Sequence, residues 1–208
     1  MADNYLENQM DRLREVRPKV IRTHPSLDSL LRRNRTHRGY DNAVRLSEET
    51  LKEIVAVVPF VASGMNAQRL RFRLVPSAAA GMVHPHVTLG AALPEEHLPH
   101  PGEEPAGYIV ICAEHEDKVI DVDAGMAAQS MLLKAVEMGL GGVFILNFRK
   151  AALKEALRLP LDPVAVIGLG KGTDRVFILP VHAGDSLQYY RKDGVHYVPK
   201  LQAEDLII

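Results

Sequence analysis

Polar and apolar residues alternate along RFRLV (71–75) with the two-residue period of a half-buried strand. Four more runs, GYIVICA (107–113), GVFIL (142–146), PVAVIGLG (163–170) and VFILP (176–180), are apolar enough to predict extended segments, with GYIVICA a central strand. DVDAGMAAQSMLLKAVEMGLG (121–141) instead carries its apolar residues at helical spacing. Its alanines and methionines suit close packing on several sides, and Gly139 and Gly141 supply the backbone freedom to end it. RKAALKEALRL (149–159) predicts a short amphipathic helix. Nearer the start, residues 3–16 read as a polar, exposed helix inside an extension spanning 1–25. Ser26 and Ser47 are placed to cap helices through LDSLLRRN and LKEIVAVVPF, because a serine hydroxyl accepts a free first-turn N–H. Glu48 and Glu49 favour the positive end of the second helix, and Pro59 kinks or ends it. The segment 76–107, rich in Pro, Gly, Ala and His with weak periodicity, predicts mostly loop, with a short strand near Val87.

The mixed order of these elements predicts an α+β fold rather than a doubly wound sheet. A chain of 208 residues with 47% apolar content fills one core, so a single domain over 1–208 is expected. A net charge of −1 excludes a global field that recruits nucleic acid or an anionic membrane, leaving small molecules or proteins as partners. The longest apolar run, IVAVVPFVA at 54–62, falls short of the roughly 20 residues that span a bilayer. Cys112, the one cysteine, cannot form an internal disulfide, and the N-terminus lacks the apolar core of a signal peptide; a cytoplasmic location is expected.

Several motifs suggest chemistry that their context does not support. GLGKGT (168–173) lacks the Ser or Thr that must follow Lys171 in a phosphate-binding P-loop, and it leads into a strand rather than the helix of a dinucleotide fingerprint. His84, His86, His97 and His100 form HxH and HxxH pairs, but no cysteine or placed carboxylate completes a zinc site. Cys112 sits in an apolar run without an adjacent base and reads as an inert core thiol. No GxSxG elbow marks a serine hydrolase.

RRNRTHRGY (32–40) gathers five potential cations, His37 included, into nine residues. Taken alone it reads as a solvated basic segment, or as a nucleic-acid module whose binding falls steeply with salt. In order along the chain, however, it resembles the opening RRSxRx(Y/F) signature of the nitroreductase family. ASGMNAQ (62–68) resembles that family's (P)SxxNxQ signature through Ser63, Asn66 and Gln68. Residues 121–141 resemble its DxGxAxQxLxLxAxxxGLG run through Asp123, Gly125, Ala127, Gln129, Met131, Leu133, Ala135 and Gly139-Leu140-Gly141. PVAVIGLGKGTD resembles its late strand and glycine turn, and VPKLQAEDLII its C-terminal segment. Asn34 stands where the family has its first arginine, Thr36 where it has serine, and Ala62 and Arg69 where it has proline.

The resemblance implies a nitroreductase-like fold, with a mixed, mostly antiparallel central sheet flanked by helices, in an intertwined homodimer. It implies FMN as cofactor, with Arg35, Thr36 and Lys171 at the phosphate and Arg38 beside the N-1/O-2 edge, where negative charge gathers on reduction. Ser63, Asn66 and Gln68 would contact the pyrimidine or ribityl part, while Gly141 and Gly142 would let the backbone lie against the ring. No side-chain nucleophile is required, and no metal is implied. The activity implied is ping-pong NAD(P)H oxidation coupled to reduction of a nitroaromatic, quinone or related acceptor. Alternatives on the same fold are specialised flavin chemistry, such as dehalogenation or flavin transformation, or a low-turnover sensing or storage role. The tail 198–208, with Val198, Leu201, Leu206, Ile207 and Ile208, is expected to pack on the partner subunit, and 76–107 is a variable region.

Overall fold

The computed structural model describes residues 25–90 and 93–208. The helix expected at 3–16, and all but the last residue of the 1–25 extension, lie outside them. Both serine caps are present. The Ser26 hydroxyl accepts from the Ser29 amide at 3.2 Å to open α1 (Leu27–Arg33), and Ser47 accepts from Thr50 at 3.2 Å to open α2 (Glu48–Val55). The second helix stops four residues short of Pro59, which sits in a separate 3₁₀ turn at Val58–Phe60. A proline clashes with the carbonyl four residues behind it, here that of Val55, so the helix ends there.

A sheet follows, made of β1 (Arg71–Val75), β2 (Gly107–Ala113), β3 (Gly141–Ile145) and β4 (Asp162–Gly170) in the order β1-β2-β4-β3. The one parallel contact on this sheet among the described residues is an isolated bridge from Thr36 to Gly142 at the β3 edge; all pairings among the four strands are antiparallel, where the resemblance implied a mixed, mostly antiparallel sheet. The reason is topological: the crossover helix α3 (Lys118–Glu137) connects β2 to β3, but β4 lies between these two strands and runs against both. Parallel pairing occurs instead in a second sheet of β5 (Arg175–Val181), β7 (Val195–Leu201) and β6 (Tyr190–Lys192), where β5 and β7 run together. Asp193 and Gly194, at φ 52° and 71°, form the tight turn between β6 and β7, as Asp-Gly does in a type I′ hairpin.

Helix α3 starts three residues earlier than its apolar spacing indicated. The Asp117 carboxylate accepts from the Val119 and Ile120 amides, both at 2.8 Å, and so caps a turn that carries little periodic signal. The Arg69 guanidinium, 2.8 Å away, holds the Asp117 carboxyl well below the usual carboxylate range. At the other end Gly139 takes φ 79°, and Gly141 already belongs to β3.

The apolar run of β2 is explained by cover on both faces. Ile109 and Ile111 pack with Leu51 and Ile54 of α2 and the alanines 124, 127, 128 and 135 of α3. Tyr108, Val110 and Cys112 face Val83, Leu89 and Leu98 of the 76–107 segment and Leu153 of α4 (Lys150–Ala156). That segment is a chain of short 3₁₀ turns, and Val87 makes an isolated bridge to Phe148 rather than a strand. Burial pushes the Cys112 thiol up to about 11, which fits an unreactive core residue.

Candidate functional site

The basic segment 34–40 is tied down rather than free, with Gly39 and Tyr40 buried and Thr36 exposed. It runs along the outer edge of β3: Thr36 bridges Gly142 in parallel, and the His37 amide donates to the Gly142 carbonyl at 3.1 Å. It then meets the glycine turn after β4, where Tyr40 bridges Gly172 and the Thr173 amide donates to Gly39 at 3.0 Å. Three sequence blocks far apart in number, 34–40, 141–142 and 170–174, are thus stitched into one ridge.

The anchor of the ridge is the last residue of the PVAVIGLGKGTD block, to which the resemblance gave no role of its own. Asp174, 7% exposed, accepts from the Arg38 amide at 2.5 Å and the Gly39 amide at 3.1 Å through one oxygen, and from the Arg191 guanidinium at 2.5 Å through the other. Its position directly after the glycine turn was the available signal. The His37 ring lies 3.8 Å from the same carboxylate and fills the space between Gly141 and Gly172. A methyl group on Gly141 would meet that ring at 2.5 Å, and one on Gly142 would meet the Gly168 carbonyl at 2.8 Å. The demand for glycine at both positions therefore comes from the protein's own packing, independently of any ligand.

Two clefts open along this ridge and share Arg35 and Val176. One, of about 400 Å³, is lined by Thr36, Arg38, Gln129, Gly142, Tyr189 and His196, among others. The Arg38 guanidinium lies 4.9 Å over the Tyr189 ring and 3.5 Å from His196 Nδ1, so its direction is fixed by a cation–π contact as well as by its backbone. The other cleft, of about 380 Å³, is lined by Arg32, Arg33, Arg35, His37 and Lys171. Among the described residues these arginines and Lys171 pair with no carboxylate: Arg33, Arg35 and Lys171 reach only the carbonyls of Val136, Leu31 and Gly139. Desolvation lowers the Arg35 pKa, as expected of a half-buried cation without an anion. Asp174 also lines this cleft but is engaged by Arg191 and the Arg38 and Gly39 amides, so a rim of cations that pair with no carboxylate among the described residues, next to a backbone edge, is suited to an anionic group such as a phosphate.

Ser63, Asn66 and Gln68 are not in these clefts. They line a third, more apolar cleft of about 490 Å³ between α2, β1 and α3, where Gln68 donates to Asn66 Oδ1 at 3.1 Å and to Ser63 Oγ at 3.2 Å. The structure so brings together Arg35, Thr36, Arg38, Gly141, Gly142 and Lys171, and sets the 63–68 loop apart. Asn34 closes α1 and lines the Arg38 cleft. Tyr189 and His196 also escaped the sequence reading, since neither sits in a recognisable motif.

Burial pushes the imidazoles of both His37 and His196 below their ordinary value. For His37 the Asp174 charge opposes the shift while Arg35 and Lys171 add to it; for His196 Arg38 and Arg191 add to it while Asp174 and Glu96 oppose it. A depressed histidine contributes stability that is complete above the ordinary value near 6.5 and is lost as pH falls toward the folded value, because the unfolded chain takes up protons that the folded one refuses. Urea unfolding at pH 7.5 and 5.5 is expected to show a less stable protein at 5.5, each histidine contributing at most about 1.4 kcal/mol per pH unit. His196→Asn should flatten that slope, and equal stability at the two pH values would refute the account.

The sheet order and crossover helix give an α+β protein, and its fold is similar to that of solved nitroreductase structures. The nitroreductase family model matches residues 102–171, so the family read from the sequence is the one the comparisons return. A nitroreductase family protein from Clostridium novyi NT aligns with a TM-score of 0.59 at 19% identity, over 72% of this chain and 87% of its own. A provisionally named nitroreductase in complex with FMN, from Exiguobacterium sibiricum, gives 0.59 at 15% identity over 74% and 92%. A provisionally named NAD(P)H:FMN oxidoreductase from Staphylococcus epidermidis gives 0.58 at 14% over 76% and 91%. No curated protein matches the chain. Among the described residues no helix is long and apolar enough to cross a membrane, and no group of three or more His, Cys, Asp or Glu side chains could hold a metal.

Proposed function

We propose that the chain is an FMN-dependent NAD(P)H oxidoreductase acting on a nitroaromatic, quinone or related acceptor, and that it works as a homodimer. The observation that carries the reading is the ridge: Arg35 and Lys171, which pair with no carboxylate among the described residues, Thr36 in the neighbouring cleft that Arg35 also lines, a glycine backbone edge at 141–142, and the separately fixed Arg38 cation. This donor set fits FMN. Arg35, Lys171 and Thr36 would hold the phosphate, and Arg38 would face the pyrimidine edge. When bound, FMN would supply two-electron transfer between the nicotinamide and the acceptor. The protein's own part is positional and electrostatic. Asp174 fixes the backbone that carries Arg38, Tyr189 and His196 direct the guanidinium, and the cation favours negative charge developing beside it.

Dimerisation is supported by surface that a lone chain leaves wet. Phe60 and Met65 are each 90% exposed, and Val122, Leu206, Ile207 and Ile208 are exposed as well. It is also supported by the split in the motif residues, since a second copy would bring its 63–68 loop to a cleft that this loop does not reach within one chain.

The purified protein is expected to be yellow, to release about one FMN per chain on denaturation, and to oxidise NADPH continuously with menadione as acceptor. A colourless protein that takes up no added FMN would overturn the reading. Arg35→Ala is expected to weaken FMN retention, increasingly at high salt because the contact is partly exposed. Arg38→Ala is expected to lower the potential of the bound flavin more than it weakens retention. An unchanged potential would remove Arg38 from the ring edge.

A further inference from the structure

Asp123 lies in the second turn of α3 and is 2% exposed, yet among the described residues it joins no ion pair. One carboxyl oxygen accepts the Gly64 amide at 2.9 Å, and the other has no hydrogen-bond partner among the described residues. A buried carboxyl group that leaves an oxygen unpartnered is a poor choice for filling a core. What it does supply is an acceptor at one particular place. Gly64 opens the turn that carries Asn66 and Gln68, and three of the next four residues, Met65, Asn66 and Gln68, adopt φ of 53°, 52° and 48°. That left-handed region is unfavourable for side chains such as those of Met and Gln, and it persists only where surroundings hold it. The other hydrogen bonds of residues 63–67 stay within the loop: the Asn66 amide to the Ser63 carbonyl, the Ala67 amide to the Gly64 carbonyl, and the Gln68 amide and side chain to Ser63 and Asn66; only at its last residue does the Gln68 carbonyl accept from the Arg71 guanidinium of β1, at 2.9 Å. Among the described residues, the Asp123 bond is the one that ties residues 63–67 to another element. Gly64 itself is pressed so close to Val119 of α3 that an added methyl group would overlap it.

We propose that Asp123 is the positioning residue of the 63–68 loop, its carboxyl oxygen clamping the Gly64 amide onto α3 and so holding the strained turn that presents Ser63, Asn66 and Gln68. The consequence for cofactor binding rests on the function proposed above; the clamp does not. Both are read in the full-length protein, as hydrogen exchange of the Gly64 amide and as retention of FMN. Asp123→Ala is expected to speed exchange at Gly64 at least about tenfold beyond any change in global unfolding and to weaken FMN retention. Asp123→Asn, which keeps an oxygen acceptor, is expected to restore both. Exchange in Asp123→Ala that matches wild type, or an Asn variant as impaired as the Ala variant, would overturn the clamp. Fast exchange with undiminished FMN retention would uphold the clamp and remove the loop from the cofactor site. Should Asp123→Ala fail to fold, Gly64→Ala displaces the loop from the opposite side and should weaken retention, and Val119→Ala in the same chain should recover it. Wild-type exchange and retention in Gly64→Ala would overturn the proposal.

Discussion

Asp174→Ala is expected to lower the unfolding free energy by about 3–5 kcal/mol and to abolish FMN retention at micromolar cofactor. The carboxylate is almost wholly buried and serves three donors at once, the amides of Arg38 and Gly39 and the guanidinium of Arg191. Removing it leaves two part-buried amides without an acceptor and Arg191 with only the Glu96 carboxylate, 3.7 Å away, and an orphaned donor costs about 1–3 kcal/mol even when uncharged. The damage should not stay local. The Arg38–Gly39 backbone pins segment 34–40 to the glycine turn, so loosening it frees the ridge that joins β3 to residues 170–174. Asp174→Asn should lie between, because the amide oxygen can still accept from Arg38 and Gly39 while the pairing with Arg191 is lost. Urea unfolding and FMN titration of the three proteins decide the matter. A loss under about 1 kcal/mol with unchanged retention would mean that the ridge is held by its backbone bridges alone.

The parts of the fold that were legible were those where one local cause dominates. Ser26 and Ser47 cap as read because capping is a matter between a hydroxyl and its own next turn. The apolar runs at 107–113 and 163–170 became the two inner strands of the sheet because burial on both faces leaves no room for polar residues. What escaped depended on partners distant in sequence. Nothing in VIDVD shows that α3 begins at Lys118; Asp117 and its partner Arg69 decide that, 48 residues apart. The antiparallel pairing of all four strands was hidden because no local pattern says that β4 lies between β2 and β3. For the site, the motif residues at 35–38, 141–142 and 171 converge, although the first of them lie outside the stretch matched by the family model. Asp174, Tyr189 and His196 did not stand out, since each matters only through the guanidinium or amide it meets in space. The Asp193-Gly194 hairpin is local too, since an Asp-Gly pair between two short strands sets its own turn.

Two truncations are expected to fail in different ways, because the tail has two parts. Val198 and Leu201 belong to β7, the middle strand of the second sheet, where they pair with Ile178 and Val181 of β5. Deleting 198–208 removes residues 198–201 of that seven-residue strand and should unravel the sheet that carries His196 and Tyr197, with loss of FMN whatever the assembly. Residues 203–208 hold no strand; they form a short 3₁₀ turn and end in Leu206, Ile207 and Ile208, which are 67%, 76% and 124% exposed. Burying a large aliphatic side chain is worth about 1.5–3 kcal/mol, against about 1–2 kcal/mol for each residue whose backbone is ordered. Docking the three on a second copy leaves a net gain of about 2 kcal/mol per tail. A two-fold dimer has two tails, so the 203–208 deletion should weaken association by about 4 kcal/mol, roughly a thousandfold in Kd. Light scattering across a dilution series is expected to show a stable dimer for the full chain and dissociation of the truncated one at micromolar concentration. A truncated protein that stays dimeric at nanomolar concentration and keeps its FMN would place these three residues outside the interface.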